Sequence, residues 1–419
     1  MREQQYTLLQ ERCFTETMSN GMTVYVVPKP GYHKTFAMLA CRFGGNDTRF
    51  SVGNRIRNAP VGTAHFLKHS LFDTPDGPVL PLFAVNGAVI DSFTTNDMTG
   101  FYFTCTDHLE EHLATLLRFV TNPTFTEESV RKEQEIIARE IRMKEDLPDR
   151  QAHRNLMREL YQNHSIRHGV IGDENSISHI TPELLECCHK CFYHPSNLVL
   201  CVTGDVDPRV VVQAAAGVTN WNVNQIQRDY GEEEPELAEV PETQCQMDVS
   251  STVFSLGFKV PVLPGMREAL VGELAAALLV GPSSPLYVKL YRQGILNQTF
   301  QTRYCSGSEY AYFEFFGESE SPSAVTEEIL NEAIRIAWTG TDPARFDRIR
   351  KASYGGRVKS LNSMKYICTQ LARAHFNGES YFDFPALYEQ ISVQDVKELI
   401  QESITGERCT LSIVRPKGV

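Results

Sequence analysis

Two stretches of the chain repeat one succession of apolar and polar positions. In the first half, MTVYVVPKP and TFAMLACRFG read as strands, followed by an apolar helix around His65, a turn at DTPDGP, a short helix ending at Gly87, and strands through FYFTC. In the second half, STVFSLGFKV reads as strand, MREALVGELAAALLVG as helix, GPSSP as turn, LYVKLYRQG as short helix, and EYAYFEFF as strand. Both halves then pass into paired helices. Leu109, Leu113, Leu116, Leu117 and Val120 recur at the helical period and form one apolar stripe, and Ile329, Ala333, Ile336 and Ala337 do the same in a segment running roughly from Ala324 to Trp338. The pattern predicts a duplicated α+β domain with antiparallel strands, two copies facing each other across a linker.

Between the copies, QRDYGEEEPELAEVPET is acidic, holds two prolines and lacks apolar periodicity, as expected of an exposed connection. The predicted organisation is therefore a first domain over 1–226, a linker over 227–245 and a second domain over 246–419. A chain of 419 residues is too long for one compact core, which agrees with two.

Charge narrows the partners. With 40 Lys+Arg against 52 Asp+Glu the formal net charge is -12, and no basic run is present to track a phosphate backbone, so nucleic acid is not an expected partner. No window reaches the roughly 18 to 20 apolar residues needed to cross a bilayer, and the N-terminal MREQQYTLLQERCF has no signal-like apolar stretch. The expectation is a cytoplasmic chain without a membrane span. Eleven cysteines, an odd number without framework spacing, suit a reducing compartment. Cys187, Cys188 and Cys191 fall in a helix-like segment and read as small buried thiols.

Candidate chemistry begins at GTAHFLKHSLF, where His65 and His69 lie four apart on a helix and project from one face. By itself this spacing also fits two packed or solvated histidines. A second element sharpens it: in KEQEIIAREIRMKEDLPD, preceded by Thr126 as N-cap and by Glu127 and Glu128 at the positive end of the helix dipole, Glu133 and Glu140 are two turns apart on one face. A carboxylate there completes a His-His-Glu set that leaves a fourth position open, as catalytic zinc requires. A competing pattern, His108-Leu109-Glu110-Glu111-His112, lies on the helix that turns Leu109 and Leu113 inward. It is read as a packing helix with its histidines and glutamates on a mostly solvated side.

The form GxAHFLxHxLF, followed further along by ExxxxxxEIRMxxDxPD, resembles the signature of the M16 (pitrilysin/insulinase) zinc metallopeptidases, and the resemblance continues through YQNHSIRHGVIGDENSISHITPELL and FYHPSNLVLCVTGDVD. It implies two homologous M16/LuxS-metallohydrolase-like α+β domains, antiparallel sheets packed with helices, joined by the acidic linker into a clamshell. It also implies Zn2+ held by His65, His69 and Glu140, with Glu133 orienting a histidine. The family's general base falls on Lys68.

Lys68 is the sharpest departure from the family pattern, because the glutamate normally there takes a proton from the attacking water and returns it to the leaving amine. An ammonium cannot accept that proton. A second departure lies in the segment Gly87 to Thr94, which matches the family's peptide-binding edge strand and would supply Asp91, Ser92 and Thr94 to a substrate. Asp91 stands where asparagine is usual. Third, the substrate-gripping Arg and Tyr have no clear match in Leu290–Gln298, and Arg303 and Tyr310 have the right separation but lie further along.

Three functions follow from the resemblance. The first is a zinc-binding homologue impaired by Lys68 and acting as peptide-binding or partner subunit of a dimeric M16B assembly, homomeric or with a homologous chain. The second is an active zinc metalloendopeptidase subunit, and the third a non-catalytic scaffold like the core proteins of respiratory complexes.

Overall fold

A computed structural model describes residues 1–75, 77–219 and 226–418, so Asp76 of the DTPDGP turn and the residues just before the acidic segment lie outside the description. The chain forms two compact units: Met1–Ile141 with Gly169–Tyr230 and Val358–Phe382, and Arg142–His168 with Gly231–Arg357 and Asp383–Val419.

The first unit is built on a seven-stranded sheet. Its strands are β1 (Arg2–Tyr6), β2 (Glu11–Thr17), β3 (Thr23–Pro28), β4 (Thr35–Cys41), β5 (Val89–Thr94), β6 (Thr99–Cys105) and β7 (Leu198–Gly204), in the order β1-β2-β3-β7-β4-β6-β5. All pairs are antiparallel except β3 with β7. The second unit has a five-stranded sheet of β8 (Glu242–Met247), β9 (Val253–Lys259), β10 (Gln301–Gly307), β11 (Tyr310–Glu318) and β12 (Cys409–Pro416), in the order β8-β12-β9-β11-β10, with β8 and β12 as its parallel pair.

The duplication is visible in this wiring. In each sheet the last strand in sequence inserts between the first and second of a five-strand core, parallel to one and antiparallel to the other, and the hairpin of the third and fourth closes the far edge. Strands β1 and β2 are an addition to the first sheet only. Central strands are buried on both faces and mostly apolar, as in sheets covered on both sides: every residue of β7 and of β9 is buried.

Helices repeat in the same places. α1 (Thr63–Ser70) and α2 (Leu80–Ala84) precede the β5–β6 hairpin, and α3 (Leu109–Thr121), α4 (Glu127–Glu145) and α5 (Pro148–Leu160) follow it. In the second half, α6 (Met266–Val280) and α7 (Pro285–Arg292) precede the β10–β11 hairpin, and α8 (Pro322–Thr339), α9 (Pro343–Ser360) and α10 (Met364–Phe376) follow it. The apolar stripes behave as their periods require: Leu113, Leu116, Leu117 and Val120 on α3 and Ile329, Ala333 and Ile336 on α8 are buried. α6 is apolar nearly all round and correspondingly lies in the core, with Leu270, Leu274 and Leu278 inaccessible, each burial contributing about 1.5 to 3 kcal/mol.

The compact units draw on both halves of the sequence. α5 packs on β9 and β12 of the second sheet, where Leu156 and Leu160 crowd Gly257 so closely that a Cβ there would sit 2.9 to 3.0 Å from them. α10 packs on β7 and β4 of the first sheet, with Cys368 Sγ 3.3 Å from Thr203 Oγ1.

The acidic segment is fastened rather than loose. Ile226–Arg228 pairs with Arg49–Val52, and Glu234 accepts from the backbone N–H of Gln162, Asn163 and His164 at 2.7 to 2.8 Å and from Lys259 Nζ at 2.6 Å. Burial pushes the Glu234 carboxyl up, but Lys259 and the three N–H donors more than offset it and hold it below the usual carboxylate range. Among the described residues no single helix is long and apolar enough to span a membrane.

Candidate metal centre

The residue before α1 sets the helix in place. Gly62 has φ +92°, and a Cβ there would lie 2.5 Å from the carbonyl oxygen of Ile171, so both backbone conformation and space call for glycine. Within α1, Phe66 and Leu67 are inaccessible, and Ser70 Oγ donates back to Phe66 O at 3.1 Å. With that face sunk in the core, His65 and His69 emerge together, ring centroids 4.6 Å apart.

α4 supplies the carboxylates. Thr126 caps it, Oγ1 accepting from Ser129 N at 3.1 Å while Ser129 Oγ accepts from Thr126 N. Val130, Ile137 and Ile141 anchor its inner face, and Gln134 Nε2 ties its flank to Ile177 O and Ile180 O, both at 3.2 Å. Glu133 and Glu140 are thereby turned toward α1.

Both imidazoles direct Nε2 at Glu140: His65 Nε2 is 3.7 Å from Oε1 and His69 Nε2 is 3.4 Å from Oε2. One ligand atom from each of His65, His69 and Glu140 falls within 4.8 Å of the others, and among the described residues no other group of three or more such donors is gathered this closely. The separations approach the edge of about 3.3 Å expected for a tetrahedron with zinc bonds of about 2.0 to 2.1 Å. His69 Nδ1 lies 3.0 Å from Glu133 Oε1, a contact that holds the proton on Nδ1 and leaves the Nε2 lone pair facing the other donors. Burial pulls the His69 pKa down, but the hydrogen bonds to Glu133 and Glu140 outweigh it and leave the group above its ordinary value. The donor set fits zinc.

Lys68 is buried on the same helix, between the two histidines in sequence, and its charge acts to lower the His69 pKa. No carboxylate occupies the position between the histidines.

Asp91, Ser92 and Thr94 lie on β5, which closes one edge of the first sheet. They do not share a face. Ser92 pairs with Phe101 and Thr94 with Thr99, while Asp91 pairs with Tyr102 on the opposite side of the pleat. Tyr102 Oη donates to Asp91 Oδ2 at 2.6 Å, and the Lys365 ammonium bonds the same hydroxyl. Tyr102 and Lys365 belong to no motif in the sequence. Strand alternation offers a signal for the first; nothing local links Lys365 to residue 91.

Arg303 and Tyr310 are committed within the second unit. Arg303 Nε donates to the buried Glu314 at 2.6 Å and stacks over Phe316, and Tyr310 is buried beside His164. His112, expected on a solvated side, is instead buried between Phe83 and Phe103, with ring centroids at 5.3 and 5.5 Å. The helix turns one position further inward than the leucine stripe alone suggests, so this histidine packs as an aromatic. Burial holds its pKa below the ordinary value.

The chain is similar to known proteins over nearly its whole length. Residues 51–174 match the family model described as Insulinase (Peptidase family M16), and residues 179–353 match Peptidase M16 inactive domain. An uncharacterized zinc protease, YmfH of Bacillus subtilis, is 35% identical over 425 residues, covering 99% of each chain. The solved structure of a putative M16-like peptidase from Alicyclobacillus acidocaldarius superposes with a TM-score of 0.93 at 30% identity, covering 97% of this chain and 99% of that one. A protease from Helicobacter pylori shares the fold at a TM-score of 0.85 and 19% identity, over 97% and 100% of the two chains. The chain belongs to the M16 family.

Proposed function

We propose that this chain is a zinc-holding M16B-type homologue whose own peptide hydrolysis is disabled at Lys68, and that it serves as the peptide-binding or partner subunit of a dimeric assembly. The observation that carries the reading is a gathered His65-His69-Glu140 donor set with a buried lysine where a general base is needed.

His65, His69 and Glu140 would hold the metal. Bound zinc supplies Lewis-acid polarisation of a carbonyl. Glu133 fixes the tautomer and tilt of His69 through the Nδ1 contact. Beside these groups, proton transfer from an attacking water needs a basic atom, and a charged Lys68 has no lone pair to give. Its positive charge also opposes a cation nearby, which lowers metal affinity without removing any ligand.

The open edge at β5 supports the peptide-binding half of the proposal, because an extended peptide can add to it as a further strand. We take the partner to be a second M16 chain, identical or homologous, and the setting to be cytoplasmic, in keeping with the odd number of cysteines. Metal analysis of the purified protein beside a peptide-cleavage assay tests the proposal. Stoichiometric zinc without turnover is the expected result, and a metal-free protein at ordinary zinc levels would contradict it.

A further inference from the structure

The open edge of the first sheet already carries a hydrogen-bonding guest. Where the β5–β6 hairpin turns, Thr95 N donates to Met98 O at 2.8 Å, so that pair is hydrogen-bonded. Antiparallel ladders alternate, which makes Thr94 with Thr99, Ser92 with Phe101 and Ile90 with Phe103 the pairs whose backbone groups point away from the partner strand. Among the described residues β5 pairs on one side only. Ile90, Ser92 and Thr94 therefore offer their N–H and C=O groups to whatever adds to the edge.

The middle donor of the three is taken. Ser92 N–H donates to Asp91 Oδ1 at 2.7 Å. The other oxygen of that carboxylate is anchored by Tyr102 Oη at 2.6 Å, and Lys365 Nζ sits over the Tyr102 ring, 4.1 Å from its centroid. The carboxylate is held from the far side of the pleat and reaches round its own strand to the open edge.

We propose that Asp91 is an internal competitor for peptide binding: its carboxylate stands in for the carbonyl oxygen of an added peptide strand at Ser92 and must swing away before an extended peptide can pair there. This rests on the strand-addition reading above. A bond from N–H to a carboxylate is stronger than one to a neutral carbonyl, so the exchange at this position opposes binding. The Lys365–Tyr102–Asp91 chain sets how firmly the competitor is held.

The test uses the full chain and a short blocked peptide of alternating valine and threonine carrying a fluorescent label, with affinity read by anisotropy and amide exchange followed over Val89–Thr94. Asp91→Ala should bind the peptide about two- to tenfold more tightly than wild type. Its Ser92 amide should exchange faster when free and become protected on binding. Asp91→Asn, which keeps an oxygen for Ser92 without the charge, should fall between. Tyr102→Phe, which frees the carboxylate without altering the edge strand, should shift affinity in the same direction by less, and it carries the test if Asp91→Ala fails to fold. Wild-type binding with no gain in Asp91→Ala or Tyr102→Phe overturns the competitor. Absence of binding to wild type and every variant, with unchanged exchange, overturns strand addition itself and the competitor with it.

Discussion

Glu133 Oε1 lies 3.0 Å from His69 Nδ1 while His69 Nε2 faces Glu140 at 3.4 Å, so one imidazole is held between two carboxylates, of which the proposed site uses the first to orient the ring and the second to ligate zinc. That division of labour predicts graded losses. His65→Ala and Glu140→Ala should purify without zinc, whereas Glu133→Gln should bind it about 10- to 100-fold more weakly, as read by competition with a chromogenic chelator. Equal zinc affinity in Glu133→Gln and wild type would show that Glu133 does not orient the ligand.

A second prediction concerns the core of the second unit. A Cβ on Gly272 would lie 2.4 Å from ring atoms of Tyr304, against the buried face of α6. Gly272→Ala should destabilise the protein by about 1 to 3 kcal/mol in urea unfolding through overpacking. Gly355 on α9 has nothing near its would-be Cβ. Gly355→Ala should be neutral or stabilising by up to about 1 kcal/mol, since alanine loses less backbone freedom on folding.

A third follows from Glu314, buried on β11 and held by His153 Nδ1 at 2.9 Å, Arg303 Nε at 2.6 Å and Ser255 Oγ at 2.6 Å. Burial alone would raise its pKa, but these partners hold it at about 2. A carboxylate depressed in the folded state stabilises the fold above its unfolded pKa and loses that contribution as pH falls through the folded value. The contribution is about 3 kcal/mol at neutral pH, lost on acidification from about pH 4.5 toward 2. Glu314→Gln should therefore be less stable at neutral pH and show a flatter acid limb in urea midpoints. An acid limb as steep as that of wild type would contradict the assignment.

Much of this molecule is legible in the order of its residues. The helix stripes at Leu113 and Ile329 and the Thr126 cap are local signals, and each element formed where period and capping placed it. The spacing of His65 from His69 and of Glu133 from Glu140 is equally local, because α-helices convert it directly into shared faces. What stayed hidden is long-range. No local pattern says that α5 belongs on the second sheet or α10 on the first, since an amphipathic helix records that it has a buried face and not which surface covers it. The insertion of β7 between β3 and β4 is hidden for the same reason, as is the reach of Lys365 to Tyr102. His112 falls on the buried side because a helix stripe has soft borders, and Phe83 from α2 extends the apolar surface over it.

Whether Lys68 disables the proposed zinc site is read by assaying peptide cleavage with zinc-loaded wild type and Lys68→Glu, each alone and with a homologous M16 chain whose own zinc ligands are replaced by alanine. Cleavage is expected only after Lys68→Glu, with wild type silent in both settings. Cleavage by wild type that disappears in Lys68→Ala would contradict it and make Lys68 itself catalytic.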